Sequence, residues 1–229
     1  MEGRLKIYLL IFCQLILMLL IFSLIVSASP MVGSVHTVTV TLIEPLDIEI
    51  KTHRDLVLEG AKRSVKRREK YRDRYRLIKY PNGDVPKNEG ACTDLIIRAY
   101  RNADIDLQQL VYEDRAKNIK AYPSLWGYNG LDTNIDHRRS PNLFTFFNRY
   151  GKKLTSSTKQ SNLDQWQPGD VVFYFHRRKG WHVGIVSDRK DKRTGIPYII
   201  DNSSNPGYAS ETHLLTDHRN VWGHFRFPY

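Results

Sequence analysis

The sequence predicts an α+β domain in which a helix bearing a single cysteine packs on an antiparallel β-sheet. The stretch "CTDLIIRAYR", from Cys92 to Arg101, has apolar residues at helical spacing. Three apolar runs follow it, "DVVFYF", "WHVGIVSD" and "PYIIDN", and each is typical of a strand. Strands that follow a helix as a group, rather than alternating with helices, indicate an α+β plan.

The first 28 residues form a hydrophobic targeting segment. From Ile7 to Val26 the chain is apolar except for Gln14 and Ser23, and two basic residues precede this run. The segment is either a signal peptide that is cleaved after Ala28 or an uncleaved membrane anchor. We prefer export with cleavage, and both alternatives place the rest of the chain outside the cytoplasm.

The remaining chain divides into a lead-in segment, residues 29–54, and one domain, residues 55–229. The lead-in contains "HTVTVTLIEPLDIEI", which alternates like a strand. In the domain we expect a helix over Leu56–Lys70, a turn-rich connection in "YPNGDVPKNEG", and long loops over Ala121–Pro141. A short helix, "NLFTFFNRYG", ends at Gly151 before the strands begin.

The helix that starts at Cys92 has a predicted inward face. Leu95, Ile96, Ala99 and Tyr100 repeat at helical spacing, so we expect these four side chains to pack in the core.

The chain is strongly basic, with a formal net charge of +11 at pH 7. Ten basic residues lie between Ala61 and Tyr80, against Glu69 and Asp73. This segment is either a solvated helix face or a binding surface for a polyanion, which outside the cytoplasm means anionic lipid or a cell-wall polymer. No nucleic-acid-binding motif accompanies it, so we expect no nucleic acid partner.

An odd thiol in an exported protein suggests either intermolecular pairing or a reactive cysteine. Cys13 belongs to the targeting segment, so Cys92 has no partner for a disulfide in the mature domain. The sequence contains no CxxC, no HExxH and no glycine-rich phosphate loop, and we expect no metal site built on cysteines. Cys92 is therefore either a buried apolar residue or a nucleophile at a helix N-terminus.

The run "WHVGIVSD" supplies a candidate base. Strand alternation places His182 and Gly184 on one face, away from the apolar face, and Gly184 leaves room for a neighbouring group. On the next strand, Asp201 or Asn202 could hydrogen-bond the imidazole. A thiol, an imidazole and a polar residue that orients it are the parts of an activated-nucleophile site.

These motifs resemble the NlpC-type cell-wall cysteine peptidases, a papain-like superfamily. The resemblance is carried by "GACTDLIIRAYR", "WQPGDVVFYF" and "GWHVGIVSD". With "YPNGDVP", "YPSLWG" and "NIDHRRSPNL" the pattern is closest to a bacterial domain-of-unknown-function family within that superfamily. The resemblance covers about Leu56 to Phe227 and implies a papain-like fold.

The resemblance also implies catalytic roles. Cys92 is the expected nucleophile and His182 the base and later the acid. Asp201 stands where the superfamily usually has His, and we expect its carboxylate to hold the Nδ1–H of His182, with Asn202 as the alternative. Tyr80, twelve residues before Cys92, is expected to assist an oxyanion hole or, alternatively, to pack on the core.

A second departure from the superfamily is Asp94, where glycine is common two residues after the cysteine. Its charge suits the first turn of a helix and is expected to disfavour a nearby thiolate. Further along, a polar loop is either a wall of the substrate groove, with arginines for substrate carboxylates, or a loop held by its own contacts. The predicted substrate-binding residues are Trp126, Asp136, His137, Arg138 and Arg139.

We therefore expect a monomeric cysteine hydrolase of the bacterial envelope that cleaves an amide bond through a Cys92 thioester, with the peptide part of peptidoglycan as the expected substrate. No metal and no cofactor are implied. Two alternatives stay open: an acyltransferase or deamidase that uses the same Cys–His pair on protein or lipid, and a catalytically silent wall-binding module.

Overall fold

Four α-helices and eight strands make up the residues that the structure, a computed structural model, describes: 51–125, 130–178, 180–218 and 220–229. The helices are α1 (His53–Arg67), α2 (Cys92–Arg101), α3 (Leu107–Lys117) and α4 (Ser140–Tyr150). The strands are β1 (Lys70–Tyr71), β2 (Glu89–Gly90), β3 (Lys152–Lys153), β4 (Val171–His176), β5 (Gly180–Lys190), β6 (Pro197–Asn202), β7 (Ala209–Leu214) and β8 (Val221–Arg226). The targeting segment, the lead-in strand and Trp126 lie outside the described residues.

Helix α1 begins three residues earlier than predicted because a capping box fixes its start. Thr52 accepts a hydrogen bond from the backbone N–H of Asp55, and the Asp55 carboxylate accepts one from the Thr52 N–H at 2.8 Å. These two bonds satisfy donors that a helix start leaves unpaired. The helix ends where Arg68 adopts a left-handed conformation, with φ of 50°.

Six strands form one antiparallel sheet in the order β3-β8-β4-β5-β6-β7. Strands β4, β5 and β6 coincide closely with the three predicted apolar runs. Strands β7 and β8, which the sequence analysis did not predict, extend the sheet on either side of them. The short strands β1 and β2 pair in parallel, separately from this sheet.

The sheet is covered on both faces. Helices α1, α2 and α4 bury one face, where Leu95 and Phe147 pack with Phe173 and Val183. On the opposite face Trp166 packs with Val172 and other apolar side chains of β5 and β6. A helix on an antiparallel sheet is the predicted arrangement, and the α+β class is confirmed.

Helix α2, which begins at Cys92, is buried along almost its whole length. The four side chains of its predicted inward face are fully buried, as expected. Its other side is covered as well, and the charged residues Asp94 and Arg98 are 2% and 7% exposed. Arg98 is neutralised by Glu69, at 2.6 Å, and by Asp84. Buried charges of this kind require such partners, so α2 is held in place from all sides.

The basic segment from Ala61 to Tyr80 is not a single helix face. It comprises the end of α1, strand β1 and an irregular stretch up to residue 79. Some of its charges are paired, since Arg67 contacts the buried Glu69 and Arg76 contacts Glu89 at 2.5 Å. Binding of a polyanion by the remaining exposed cations stays a prediction.

No helix within the described residues is long and apolar enough to cross a membrane. The predicted targeting segment falls in residues 1–50 and is outside that search.

Candidate active site

Cys92 is the first residue of α2, where the helix dipole and unpaired backbone N–H groups favour a negative charge. The side chain faces inward and the residue is 7% exposed. Its Sγ lies 3.7 Å from the Oγ of Ser140, the first residue of α4. Two helix starts therefore meet at the thiol.

His182 lies on β5, on the side of the strand that the alternation predicts. Val183 and Ile185 point into the helix-covered core. His182 lies on the other face of the sheet, beside Tyr174 of the neighbouring strand β4. Gly184 has the predicted role of making room, because a Cβ there would lie 2.4 Å from the side chain of Ile199. Strands β5 and β6 approach closely at this point, which brings their polar side chains together.

The imidazole of His182 is held by Asp201 of β6. Its Nε2 lies 2.7 Å from Oδ2 of Asp201, whose side chain is fully buried. The expectation that Asp201 holds Nδ1 is wrong, because the approach of β6 presents the carboxylate to Nε2. Nδ1 is thus the nitrogen that remains for the thiol of Cys92.

The pKa of His182 is raised to about 10. Burial alone would lower it, but the hydrogen bond with Asp201 and then the neighbouring Cys92 outweigh burial because both stabilise the imidazolium. A protonated imidazole beside a thiol stabilises the thiolate. Cys92, His182 and Asp201 therefore form a line of interacting groups suited to nucleophilic chemistry.

Asp201 has two further histidine partners that the sequence analysis did not identify. Nδ1 of His213 lies 3.2 Å and Nε2 of His218 lies 3.1 Å from its Oδ2. Burial would raise the pKa of Asp201, but the hydrogen bonds from His182, His213 and His218 lower it well below its usual range. The carboxylate is therefore charged at neutral pH.

Asn202, the alternative to Asp201, performs a different task. Its Nδ2 donates to the backbone carbonyl of Gly90 at 2.9 Å, two residues before Cys92. The adjacent residues Asp201 and Asn202 point to opposite sides of β6, as strand geometry requires. One reaches the imidazole and the other the backbone that leads into α2.

Tyr71, and not Tyr80, is the tyrosine beside Cys92. Burial, and then the nearby charges of Cys92 and Asp73, raise the pKa of Tyr71 to about 12. The Tyr80 ring packs instead 5.1 Å from that of Tyr112 on α3. The expected spacing of twelve residues fails because the chain between β1 and β2 loops away, while the pairing of Tyr71 with Gly90 returns Tyr71 to the start of α2.

Of the three interacting groups, His182 lines a polar cleft of about 590 Å³, whereas Cys92 and Asp201 are not among its lining residues. Its walls come from β1, β4, β5, β7 and the segments that flank β7. They include Tyr71, Trp181, His182, Ser203, His213 and His218. A polar cleft with hydroxyl and imidazole groups at its surface suits a polar ligand such as a peptide.

The profile of a family described as "Domain of unknown function (DUF1287)" matches residues 58–227, which is most of the chain. The chain belongs to the DUF1287 family. It is 37% identical over 193 residues to "Uncharacterized protein YijF" of Escherichia coli (strain K12), which covers 84% of this chain and 91% of that protein. No solved structure matches the chain.

In this DUF1287 chain, the predicted groove wall is largely buried. Asp136, His137 and Arg138 are 1%, 1% and 8% exposed, so they cannot contact a substrate and the expectation for them is wrong. Asp136 pairs with Arg115 at 2.8 Å. Burial lowers the pKa of His137 to about 3, so its ring is neutral. The loop is thus held by its own contacts, which is the alternative interpretation.

Arg138 is the partner of Asp94. Its Nε and Nη2 lie 2.6 Å and 3.0 Å from the two carboxylate oxygens, a bidentate pair that neutralises the aspartate. Asp94 also accepts the backbone N–H of Ala91 at 2.7 Å. The charge that was expected to disfavour the thiolate is therefore compensated, and the pair anchors the start of α2.

The predicted substrate-binding role of Arg139 and Trp126 is not tested by the structure. Arg139 is partly exposed at the start of α4. Trp126 is outside the described residues. Their contact with a substrate stays a prediction.

Proposed function

We propose that the domain is a papain-like cysteine hydrolase that cleaves an amide bond, with the peptide part of peptidoglycan as its substrate. The observation that carries the proposal is the 2.7 Å hydrogen bond between His182 and the buried Asp201, with Cys92 at the start of α2 close enough to His182 to raise its pKa. The polar cleft and the motif resemblance to NlpC-type peptidases support it. An exported location, predicted from the N-terminal segment, would bring the enzyme to that substrate.

In the proposed reaction, the thiolate of Cys92 attacks the carbonyl carbon and a C–S bond forms. The backbone N–H of Cys92, unpaired at the helix start, and the hydroxyl of Tyr71 donate to the developing oxyanion. His182 gives its proton to the amine as the C–N bond breaks. Water, deprotonated by His182, then attacks the thioester carbon, the C–S bond breaks to release the acid, and the thiolate of Cys92 beside a protonated His182 is restored.

Digestion of purified sacculi tests the proposal. The full-length protein is incubated with sacculi, and the released fragments are identified by mass spectrometry. We expect new amine and carboxyl ends in the peptide part, loss of the products after alkylation of Cys92 by iodoacetamide, and no loss with a chelator. Products that survive alkylation, or that require an added metal ion, would contradict the mechanism.

The same assay separates the alternatives. An acyltransferase would yield products that carry an added amine or alcohol in place of a new carboxyl end, and a deamidase would release ammonia without cutting the chain. A silent wall-binding module would bind sacculi and leave them intact.

Tyr71→Phe is expected to lower kcat about tenfold or more with little change in KM, because the lost hydroxyl contacts only the transition-state oxyanion. Tyr80→Phe is the matched control, since its ring packs on α3, and should leave both constants nearly unchanged. Steady-state kinetics on a soluble muropeptide measure both variants. A larger loss of kcat in Tyr80→Phe than in Tyr71→Phe would mean that Tyr80 assists the oxyanion hole, as the sequence predicted.

Asp201→Ala is expected to lower kcat by about 10²–10⁴-fold, because it removes the group that orients and charges His182. Asn202→Ala should act more weakly, through the backbone at Gly90, and should change thermal stability as well as rate. Kinetics and thermal unfolding of both variants make the comparison. Equal losses of kcat would mean that Asp201 does not act through the imidazole.

A further inference from the structure

Three imidazoles converge on one carboxylate oxygen in the cleft. Nε2 of His182, Nε2 of His218 and Nδ1 of His213 lie 2.7, 3.1 and 3.2 Å from Oδ2 of Asp201. His213 lies 3.3 Å from Oδ1 as well and shares its contact between the two oxygens, whereas His182 and His218 both approach Oδ2 alone. Hydrogen bonding to His182 alone would not require this arrangement.

Three of these residues have the spacing of a metal site. His182, Asp201 and His218 each offer one ligand atom, and these atoms all lie within 4.8 Å of one another. Ligand atoms about 2.0–2.1 Å from a tetrahedral zinc ion lie about 3.3 Å apart. The observed separations from Oδ2, 2.7 Å for His182 and 3.1 Å for His218, are shorter than that value by about 0.6 Å and 0.2 Å, and side-chain rotation can widen them.

The donor types select the ion. Two imidazole nitrogens and one carboxylate oxygen suit a divalent transition ion such as Zn²⁺ or Co²⁺, whereas Mg²⁺ and Ca²⁺ prefer oxygen ligands. The histidine side chains are 18% and 24% exposed and line the cleft, so an ion can enter from solvent. The cleft leaves a fourth position for water.

We propose that His182, Asp201 and His218 form a binding site for Zn²⁺ that inhibits the hydrolase reversibly. The ion takes Nε2 of His182, which loses its proton to solvent, and the remaining ring proton sits on Nδ1. In that state the ring is no longer an imidazolium, so it does not stabilise the thiolate of Cys92 by its charge and is a poor donor of a proton to the leaving amine. The inhibitory consequence rests on the proposed function, whereas the metal site does not.

Binding is tested with the full-length Cys92→Ala protein, so that the thiol cannot act as a ligand. Zinc sulfate is titrated by calorimetry, and the visible spectrum of bound Co²⁺ reports its geometry. We expect one ion per chain and the intense absorption of a four- or five-coordinate Co²⁺ site. Adding His218→Ala should weaken binding at least about 10–100-fold, the loss typical of removing even a supporting group from a metal site.

Two histidines serve as controls in the same background. His53→Ala removes an exposed imidazole on α1 and should leave binding unchanged. His213→Ala removes an imidazole that contacts Asp201 without belonging to the three-atom set, and should weaken binding less than His218→Ala does. Absence of saturable binding, or equal affinity with and without His218, would overturn the site.

Inhibition is then measured in proteins that retain Cys92, relative to each variant's own metal-free rate. Zinc should inhibit the wild-type protein, a chelator should restore the rate, and His218→Ala should need at least about tenfold more zinc. If the proposed function fails, no variant turns over substrate but Cys92→Ala still binds the ion. If the metal site fails, turnover persists and Cys92→Ala binds none. Equal zinc sensitivity with and without His218 would overturn the inhibitory role.

Discussion

Cys92→Ala is expected to lower kcat by at least about 10⁴-fold, the scale seen when a nucleophile is removed from a catalytic unit. His182→Ala should cost about as much, because without the base the thiol is not activated. The double variant should be little worse than either single one, since the two groups act in the same step. Kinetics on a soluble muropeptide, with single-turnover trapping of the thioester in the wild-type protein, measure these effects.

A spectroscopic readout separates a lost reaction from a lost fold. Part of the raised pKa of His182 comes from Cys92, so Cys92→Ala should lower that pKa while Asp201 still holds it above its ordinary value. NMR titration of the imidazole nitrogens measures the shift. An unchanged pKa would mean that the thiol and the imidazole do not interact. A loss of kcat in the double variant equal to the product of the two single losses would contradict a shared step.

The pH dependence of stability follows with a defined sign. His182 binds its proton more tightly in the folded state, so its contribution is complete below its unfolded pKa near 6.5 and is lost as pH rises towards about 10. Asp201 has a lowered pKa, so its contribution is present above its unfolded value near 3.8 and is lost in acid. The two residues together favour a stability maximum between these limits, which Asp201→Asn should flatten.

The sequence predicts the central part of the site because simple periodicity controls it. Alternation along β5 was enough to place His182 on the face away from the helices, Gly184 marks where β5 and β6 approach closely, and the choice of Asp201 over Asn202 came from the family resemblance. Helical spacing likewise predicted the buried face of α2. These features depend on neighbours along the chain or across one strand pair, which a pattern in the sequence can indicate.

The missed features depend on loops. Tyr71 reaches Cys92 through the parallel pairing of β1 with β2, after an excursion whose path no local pattern specifies. His218 follows β7, and its imidazole returns to Asp201 through a turn. Arg138 looked like a ligand for substrate carboxylates because an arginine in a polar loop carries no sign of its partner. Its partner is Asp94, on a helix that the loop packs against.

Arg138→Leu is expected to destabilise the protein by about 3–5 kcal/mol, because it leaves Asp94 charged, buried and without its bidentate partner. Chemical denaturation measures the change. Arg63→Leu is the matched control, since Arg63 makes an exposed ion pair with Glu59 on α1 and its loss should have little effect.

Asp94→Asn, combined with Arg138→Leu, should recover much of the stability. The amide keeps an oxygen that accepts the Ala91 N–H, and the unpaired charge is gone. Because this pair anchors the helix start that carries Cys92, the double variant should fold yet show a lower kcat than the wild-type protein. A double variant as unstable as Arg138→Leu alone would mean that lost packing around the guanidinium, rather than the stranded carboxylate, accounts for the effect.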